Sequence, residues 1–362
     1  PFGAVTMAYF RRELHYRPIF IVGIVSTVVS AVTAISLALL VYGYMSLAWA
    51  SVAGVFTTVI LANALRPAAV PLLPSLRGFR AAFSFGTSVS AIYIVDEFVK
   101  HAPSLAIGRS ISMESVGFFS RAAGSIDLFG RGIGSAATRI ALPYFAAQRR
   151  SGSGLKEGYL RQVSYLTGVG GSFCCVLGVL AFPVVRTLYG DQWDQVVPLL
   201  QLLCVVFATD LAAVNAPEAL IAMGLIRKAT RLALVTGAVR IGCVLATVTF
   251  GLQAVCIGLI VASIVNFFVT SLCMRGALGL CFAELVRGVR HSAVIAALTA
   301  LAVAGASALF GRPQTQILEF LLGASVAILA WLTALIAFKH PLGVELTAVA
   351  HSLKNLVPKR SS

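Results

Sequence analysis

Charged residues are scarce in this sequence. Only 11% of its 362 residues are Asp, Glu, Lys or Arg, whereas soluble domains contain about 25%. Hydrophobic residues make up 59% of the chain, and they fall in many separate runs. This composition excludes both a soluble globular domain and a soluble domain with a single anchor. We therefore predict an all-α, polytopic membrane protein.

Acidic residues are the scarcer kind of charge. The chain has 13 Asp and Glu against 28 Lys and Arg, for a formal net charge of +15. Such a surplus can indicate a nucleic-acid partner. Here most of the Lys and Arg gather in alternate loops between apolar runs, as the positive-inside rule requires. We therefore predict no nucleic-acid partner, and we expect both termini of the chain, and residues 149–161, in the cytoplasm, with 186–195 outside.

Motifs for metal, redox or glycan chemistry are also lacking. The seven cysteines show no CxxC spacing and the five histidines are scattered, so we predict no metal and no cofactor. The basic lead-in with Arg11, Arg12 and Arg17 precedes a full-length span, unlike a signal peptide. Glycan catalysis uses paired carboxylates, and the short outer loops offer only Asp191 and Asp194. A glycosyltransferase or glycan polymerase is therefore the least favoured class.

About ten apolar runs approach the roughly 20 residues that a helix needs to cross a bilayer. They cover residues 19–42, 46–65, 84–107, 122–146, 163–185, 196–223, 233–250, 252–274, 293–310 and 317–338. Pro217 predicts a kink in the sixth run because proline removes a backbone donor. Trp193 suits the membrane–water interface just before that run.

The third and fourth runs carry most of the charge inside the membrane. Asp96, Glu97, Lys100 and His101 lie in the third run, and the fourth holds Asp127, Arg131 and Arg139. A charge at the bilayer centre costs about 2.5–3.5 kcal/mol on insertion scales, so such residues often mark a site. Asp96 with Lys100, and Glu97 with His101, have the spacing of neighbours on one helix face. They form either self-neutralised pairs or, as we favour, a polar patch facing a cavity.

Two further spans hold isolated polar residues. Asp210, Asn215 and Glu218 lie in the sixth run, beside Pro217, where they form proton or cation sites or a helix-packing network. Arg240 in the seventh run has no acid three or four positions away. Its partner must therefore be another helix or a ligand.

Four short motifs occur in a characteristic order. They are Ile107-Gly108-Arg109, Val116-Gly117-Phe118-Phe119-Ser120-Arg121-Ala122, Pro143-Tyr144-Phe145-Ala146-Ala147-Gln148 and Leu188-Tyr189-Gly190-Asp191-Gln192-Trp193. Together they resemble the polysaccharide transporter family, the oligosaccharide flippases of the multidrug/oligosaccharidyl-lipid/polysaccharide exporter superfamily. The resemblance covers about residues 5–275.

The resemblance implies a MATE-like fold of fourteen helices, with two six-helix lobes facing a central cavity and two extra helices. On this alignment, residues 1–82 are a remnant of the first lobe and 83–280 form the second lobe. Residues 281–338 are the two extra helices, and 339–362 form a basic cytoplasmic tail. The family's first four helices would then be missing, so we expect four more hydrophobic spans upstream in the source DNA.

The resemblance also implies a function. We expect a flippase that moves undecaprenyl-diphosphate-linked oligosaccharide across the inner membrane by alternating access, for lipopolysaccharide or exopolysaccharide biosynthesis. Its expected partners are that lipid-linked substrate, membrane lipids, and the polysaccharide polymerase and export machinery. Candidate substrate-binding residues are Arg240, Arg131, Lys100 and Asn215, and candidate ion-coupling residues are Asp96, Glu97, Asp210 and Glu218. The alternative is a cation-coupled multidrug antiporter of the same superfamily, since the five acids in the spans outnumber the four bases.

Overall fold

The computed structural model describes residues 3–12, 15–40, 42–43, 45–67, 79–129, 135–151, 154–309, 316–338 and 342–343. These residues are almost entirely helical, and no strand occurs among them. The chain divides into two compact units, Pro1–Ala81 and Ala82–Ser362. The domain boundaries expected from the family resemblance remain predictions.

The first unit contains three helices. They are α1 (Ala4–Arg12), α2 (Tyr16–Leu39) and α3 (Met45–Ala64). The long helices α2 and α3 pack against each other, and a Cβ on Gly54 would lie 3.3 Å from Ser30 Cβ. Small residues of this kind let membrane helices approach closely. Most large apolar side chains of both helices are exposed, as expected for surfaces that face lipid.

The second unit contains the remaining helices. In chain order they are α4 (Phe79–Ser110), α5 (Met113–Phe129), α6 (Ser135–Ser151), α7 (Leu155–Leu166), a π-helix (Thr167–Gly171), α8 (Ser172–Val179), α9 (Ala181–Tyr189), a 3-10 turn (Asp191–Trp193), α10 (Val196–Asp210), α11 (Ala216–Ala222), α12 (Ile226–Thr247), a 3-10 turn (Val248–Phe250), α13 (Leu252–Leu278), α14 (Phe282–Leu309) and α15 (Gln316–Ala337). The first residues of α4 precede the unit boundary.

Seven helical stretches within the described residues are long and apolar enough to cross a membrane uninterrupted. They are Tyr16–Leu39, Met45–Ala64, Leu155–Val179, Ile226–Phe250, Leu252–Leu278, Phe282–Ala308 and Leu318–Ala337. The other three predicted spans correspond to the charged helix α4 and to the pairs α5–α6 and α10–α11. Uninterrupted helices suit the bilayer core because every interior backbone group is bonded within the helix.

The sixth predicted span is broken rather than bent. Helix α10 ends at Asp210, residues 211–215 form turns, and α11 begins at Ala216 with Pro217 in its first turn. Proline is tolerated there because the first N–H groups of a helix have no partner within the helix. The sequence predicted a kink at Pro217; the structure has instead a five-residue interruption just before the helix whose first turn contains Pro217.

The fifth predicted span contains a second irregularity. Its π-helix, Thr167–Gly171, includes three glycines. Trp331 on α15 donates its indole N–H to the Gly168 carbonyl oxygen at 3.1 Å, and the Ser172 hydroxyl donates to the same oxygen at 2.8 Å. The π-helix is therefore fixed by a tertiary hydrogen bond from α15. Segments of this kind are rare and frequently occur at functional sites.

The second unit has two large apolar cores, one toward each end. The turns at 111–112 and 190–195 mark one end, here called the loop-190 end; its core includes Ile107, Leu199 and Val255. The turns at 223–225 and 279–281 mark the loop-224 end; its core includes Ile92, Phe145, Tyr159, Leu220 and Met274. Between these two cores, several helices carry polar residues.

Candidate functional site

A polar layer lies between the two apolar cores. On α4, Asp96–Lys100 fall between Ile92 of one core and Ile107 of the other. On α10, Asp210 follows Val206 of the loop-190 core and precedes Ala212 of the other core. On α12, Arg240 falls between Leu232 and Val244 in the same way. The π-helix of the fifth span lies at the corresponding position, between Val163 and Cys174.

Arg240 pairs with Asp210 across two helices. The Nη1 atom of Arg240 on α12 lies 2.8 Å from Oδ2 of Asp210 at the end of α10. The two side chains remain 28% and 24% exposed. Arg240 therefore has the partner on another helix that its sequence context required. Only one nitrogen takes part in this contact, and Asp210 Oδ1 has no hydrogen-bond partner among the described residues.

Asp96 on α4 belongs to the same electrostatic group. Lys100 and Arg240 attract its carboxylate, whereas Glu97 and Asp210 repel it. A close approach of the helices brings α4 and α12 together, since a Cβ on Gly237 would lie 2.8 Å from Val99 Cγ2. Charges from α4, α10 and α12 therefore act on one another in this polar layer, with the Asp96 and Lys100 side chains exposed on the surface of the second unit.

The interrupted span adds buried polar atoms that lack partners. Asn215 is only 3% exposed, and neither of its amide atoms has a hydrogen-bond partner among the described residues. The same holds for Glu218 Oε2 and for the hydroxyl of the fully buried Tyr159 on α7. Glu218 interacts electrostatically with Tyr159 and with Asp96. Buried polar groups are normally hydrogen-bonded, so these atoms indicate a place for water, a proton or another ligand.

The layer has a surplus of acid. Asp96, Asp210 and Glu218 face Arg240 and Lys100, so the described carboxylates outnumber the bases. Within the described part of the chain, no group of three or more His, Cys, Asp or Glu residues is close enough to hold a metal ion. The carboxylates are therefore spread through the layer. A single carboxyl is enough to take up a proton, and spread carboxylates allow that exchange at separate positions.

The remaining predicted site residues fall into two groups. Glu97 contacts His101 at 3.0 Å, with side chains 64% and 61% exposed, so this pair lies on the surface of the second unit. Arg131 lies outside the described residues. Tyr93 and Tyr159, which interact with Glu218, were missed because single aromatic residues in apolar runs give no polar signal in a sequence.

The sequence matches a known family over more than half of its length. The model of the family described as "Polysaccharide biosynthesis protein" covers residues 1–198. The chain belongs to the polysaccharide biosynthesis protein family. It is also 26% identical over 213 residues to the teichuronic acid biosynthesis protein TuaB of Bacillus subtilis (strain 168). That match covers 57% of this chain and 43% of TuaB, so the chain spans less than half the length of this relative.

The fold is similar to that of a solved membrane protein. The lipid II flippase MurJ, in an inward closed conformation, superposes with a TM-score of 0.64 at 11% sequence identity. The superposition covers 87% of this chain and 67% of MurJ. The prediction of an all-α, polytopic membrane fold is confirmed. The apolar helices and the fold together show a multi-pass membrane protein.

Proposed function

We propose that this protein takes part in flipping a lipid-linked oligosaccharide, carried on undecaprenyl diphosphate, across the bacterial inner membrane. The observation that carries this proposal is the family match over residues 1–198, supported by the fold shared with MurJ. Alternating access of two lobes moves the substrate between leaflets. Polymerase and export machinery then use the flipped unit.

Arg240 is the residue that we assign to the diphosphate. Among the described residues, only Asp210 accepts a hydrogen bond from it, which leaves other guanidinium N–H groups available, and 28% of its side chain is exposed. A guanidinium can grip phosphate oxygens with two parallel hydrogen bonds, which an ammonium cannot reproduce. Lys100 and Arg131 are additional cation candidates, and Asn215 is a candidate for polar contact with the substrate.

The ion pair gives a route to coupling. When the diphosphate binds Arg240, it competes with Asp210 for the guanidinium. Asp210 is then left without the guanidinium that balances its charge, and a coupling cation can take that place. Asp96 and Glu218, which belong to the same group of charges, increase this effect. Substrate binding and ion uptake are thereby linked, because the guanidinium of Arg240 exchanges Asp210 for the diphosphate. Glu97 is a further candidate for ion coupling, and its side chain is more exposed.

The test uses the full-length protein in its source bacterium, with surface glycan as the readout and protein abundance measured in parallel. Arg240→Lys should keep normal abundance but reduce glycan export at least severalfold, because Lys loses the two-point grip. Arg227, which is exposed on the same helix, provides the control, and Arg227→Lys should export normally. Normal export by Arg240→Ala at normal abundance would end the diphosphate role of this residue.

A second candidate function is a cation-coupled multidrug antiporter. It is favoured by the acid surplus of the polar layer and by the carboxylate oxygens without partners at Asp210 and Glu218. Proteoliposomes distinguish the two candidates. Uptake of cationic dyes driven by an ion gradient, together with normal surface glycan in a deletion strain, supports the antiporter. Loss of surface glycan without dye transport supports the flippase.

A further inference from the structure

An aromatic cluster lies at the loop-190 end of the second unit, away from the polar layer. The rings of Phe118 and Trp193 meet edge to face at 5.6 Å between centroids, and those of Tyr189 and Trp193 are 6.3 Å apart. Ser125 Oγ lies 3.4 Å from the Tyr189 hydroxyl. The cluster thus joins α5, the end of α9 and the following 3-10 turn. The transport proposal assigns no role to it.

Arg121 on α5 stacks on this cluster. Its guanidinium carbon lies 5.2 Å from the Trp193 ring centroid and 5.9 Å from that of Tyr189, both within the range of cation–π attraction. The side chain is exposed, and among the described residues no carboxylate or carbonyl accepts its N–H groups. The rings therefore fix the guanidinium while leaving its hydrogen-bond donors available.

A neighbouring arginine, Arg186, has a carboxylate partner at the same end of the unit. Arg186 on α9 donates from Nε and Nη2 to the two oxygens of Asp194, at 2.9 and 2.6 Å. Asp191 also acts electrostatically on Arg186. Asp194 is thus bound by Arg186, and within the described part of the chain no carboxylate pairs with Arg121.

We propose that Arg121, held on the Trp193–Tyr189 platform, binds the phosphate of a membrane lipid at the loop-190 surface. Arg121 lies on α5, and both rings of its platform belong to the loop-190 end, where we expect the membrane–water interface. Tyr and Trp favour this interface, so the platform and the headgroup share one depth. A guanidinium matches phosphate oxygens in a two-point contact.

The same chemistry fits two sources, a resident phospholipid and the diphosphate carrier of the transported sugar. Native mass spectrometry of the purified full-length protein separates them. The probes are dioleoylphosphatidylglycerol against dioleoylglycerol, and undecaprenyl diphosphate against undecaprenol. Each pair shares its hydrocarbon and differs in the phosphate. The wild type should retain at least one phosphate-bearing lipid in preference to its neutral partner.

Arg121→Gln should weaken that retention about tenfold, which corresponds to about 1.4 kcal/mol. Arg121→Lys and Trp193→Leu should each weaken lipid retention about threefold. The first variant loses the two-point contact with phosphate, and the second loses a ring that holds the guanidinium. The matched control is Arg109→Gln. It removes an exposed arginine at the same end that stacks on no ring among the described residues, and it should change retention less than twofold.

Loss of phospholipid retention alone identifies a resident lipid, and loss of carrier retention alone identifies the transported lipid. Equal retention by the wild type and Arg121→Gln overturns the site, as does an equal loss in Arg109→Gln. If Arg121→Gln does not fold, as judged by its Tm without added lipid, the test uses Arg121→Lys and Trp193→Leu instead. Unchanged lipid retention in both variants then overturns the site. Lipid retention is measured without transport, so the result of this test is independent of the proposed function.

Discussion

At the scale of single residues, the Arg240–Asp210 pair has two separable roles. A charge pair inside a membrane protein supports the fold, and removal of one partner leaves the other uncompensated. A ligand-binding arginine supports activity without necessarily supporting stability. The effects of each substitution on stability and on export therefore need to be measured separately.

Arg240→Ala should lower stability by up to about 3 kcal/mol, because Asp210 is left without its counter-charge. The exposure of the two side chains, 28% and 24%, places the effect toward the lower end of this range. Asp210→Asn in the same chain should recover much of the loss. Thermal unfolding of the two single variants and the double variant measures the coupling. Additive effects would show that the 2.8 Å contact does not contribute to stability.

Arg186 and Asp194, outside the membrane spans, give a pH-dependent prediction. The side-chain hydrogen bonds from Arg186, and then its positive charge, hold the pKa of the Asp194 carboxyl below its usual value of 3.8. A lowered pKa in the folded state adds stability above the ordinary pKa, and that stability is lost as the pH falls through the folded value. Asp194→Asn should therefore lower the Tm slightly at pH 7. The difference should shrink as the pH falls below 3.8 and through the lower pKa of the folded state.

A Tm difference between the wild type and Asp194→Asn that stays constant from pH 7 into this acid range would contradict the linkage. Asp191→Asn serves as the comparison, because Asp191 acts on Arg186 electrostatically, whereas the side-chain hydrogen bonds of Arg186 within the described residues go to Asp194. Its effect on the Tm should be smaller than that of Asp194→Asn.

At the scale of helices, the close approach of α4 and α12 positions the charges of the polar layer. A Cβ on Gly237 would lie 2.8 Å from Val99 Cγ2 and 3.2 Å from Val95 Cγ1. Valine is stiff at its first side-chain torsion, so these methyl groups cannot easily turn away. Asp96 lies between the two valines, and Arg240 follows Gly237 by one turn.

Gly237→Val should force α12 away from α4 and destabilise the protein by about 1–3 kcal/mol. It should also weaken the attraction between Arg240 and Asp96. Gly242→Val is the matched control, since no atom lies within 4 Å of a Cβ at that position of the same helix. Its effect should stay within about 0.5 kcal/mol. Equal Tm values for the two variants would show that the contact at Gly237 is not tight.

Helices were easier to predict from the sequence than their interruptions were. Long apolar runs with few charges can form little except helix inside a bilayer, which is why these seven spans could be predicted. Pro217 gave a local signal for the break before α11. The π-helix at Thr167–Gly171 was not predicted, because it depends on the tertiary hydrogen bond from Trp331 to the Gly168 carbonyl.

The sequence identified which residues belong to the polar layer, but it could not show which of them contact each other across helices. The cost of charge in the membrane identified Asp96, Asp210, Glu218 and Arg240 one by one. Local spacing found the contact of Glu97 with His101, which are four residues apart. It could not find the partner of Arg240, since Asp210 lies 30 residues away and meets it only through packing of α10 and α12. Roles in binding and coupling remain predictions.

At the scale of the whole molecule, membrane orientation is the property that the transport proposal most needs. Lys and Arg concentrate in alternate loops, which predicts cytoplasmic termini, a cytoplasmic loop-224 end and an external loop-190 end. In this orientation the cluster around Arg121 faces the outer leaflet. The opposite orientation would place that cluster in the cytoplasmic leaflet.

Cysteine labelling in intact cells tests this orientation. Six of the seven native cysteines are buried or half-buried, and Cys281 alone is exposed, so Cys281→Ser gives a background of low reactivity. In that background, Gln192→Cys should react with an impermeant thiol reagent, because Gln192 is exposed in the 3-10 turn at the loop-190 end. Glu157→Cys, exposed near the start of α7, should react only after the membrane is permeabilised. Labelling of Glu157→Cys but not Gln192→Cys in intact cells would invert the topology, because the charge asymmetry would then have predicted the wrong side.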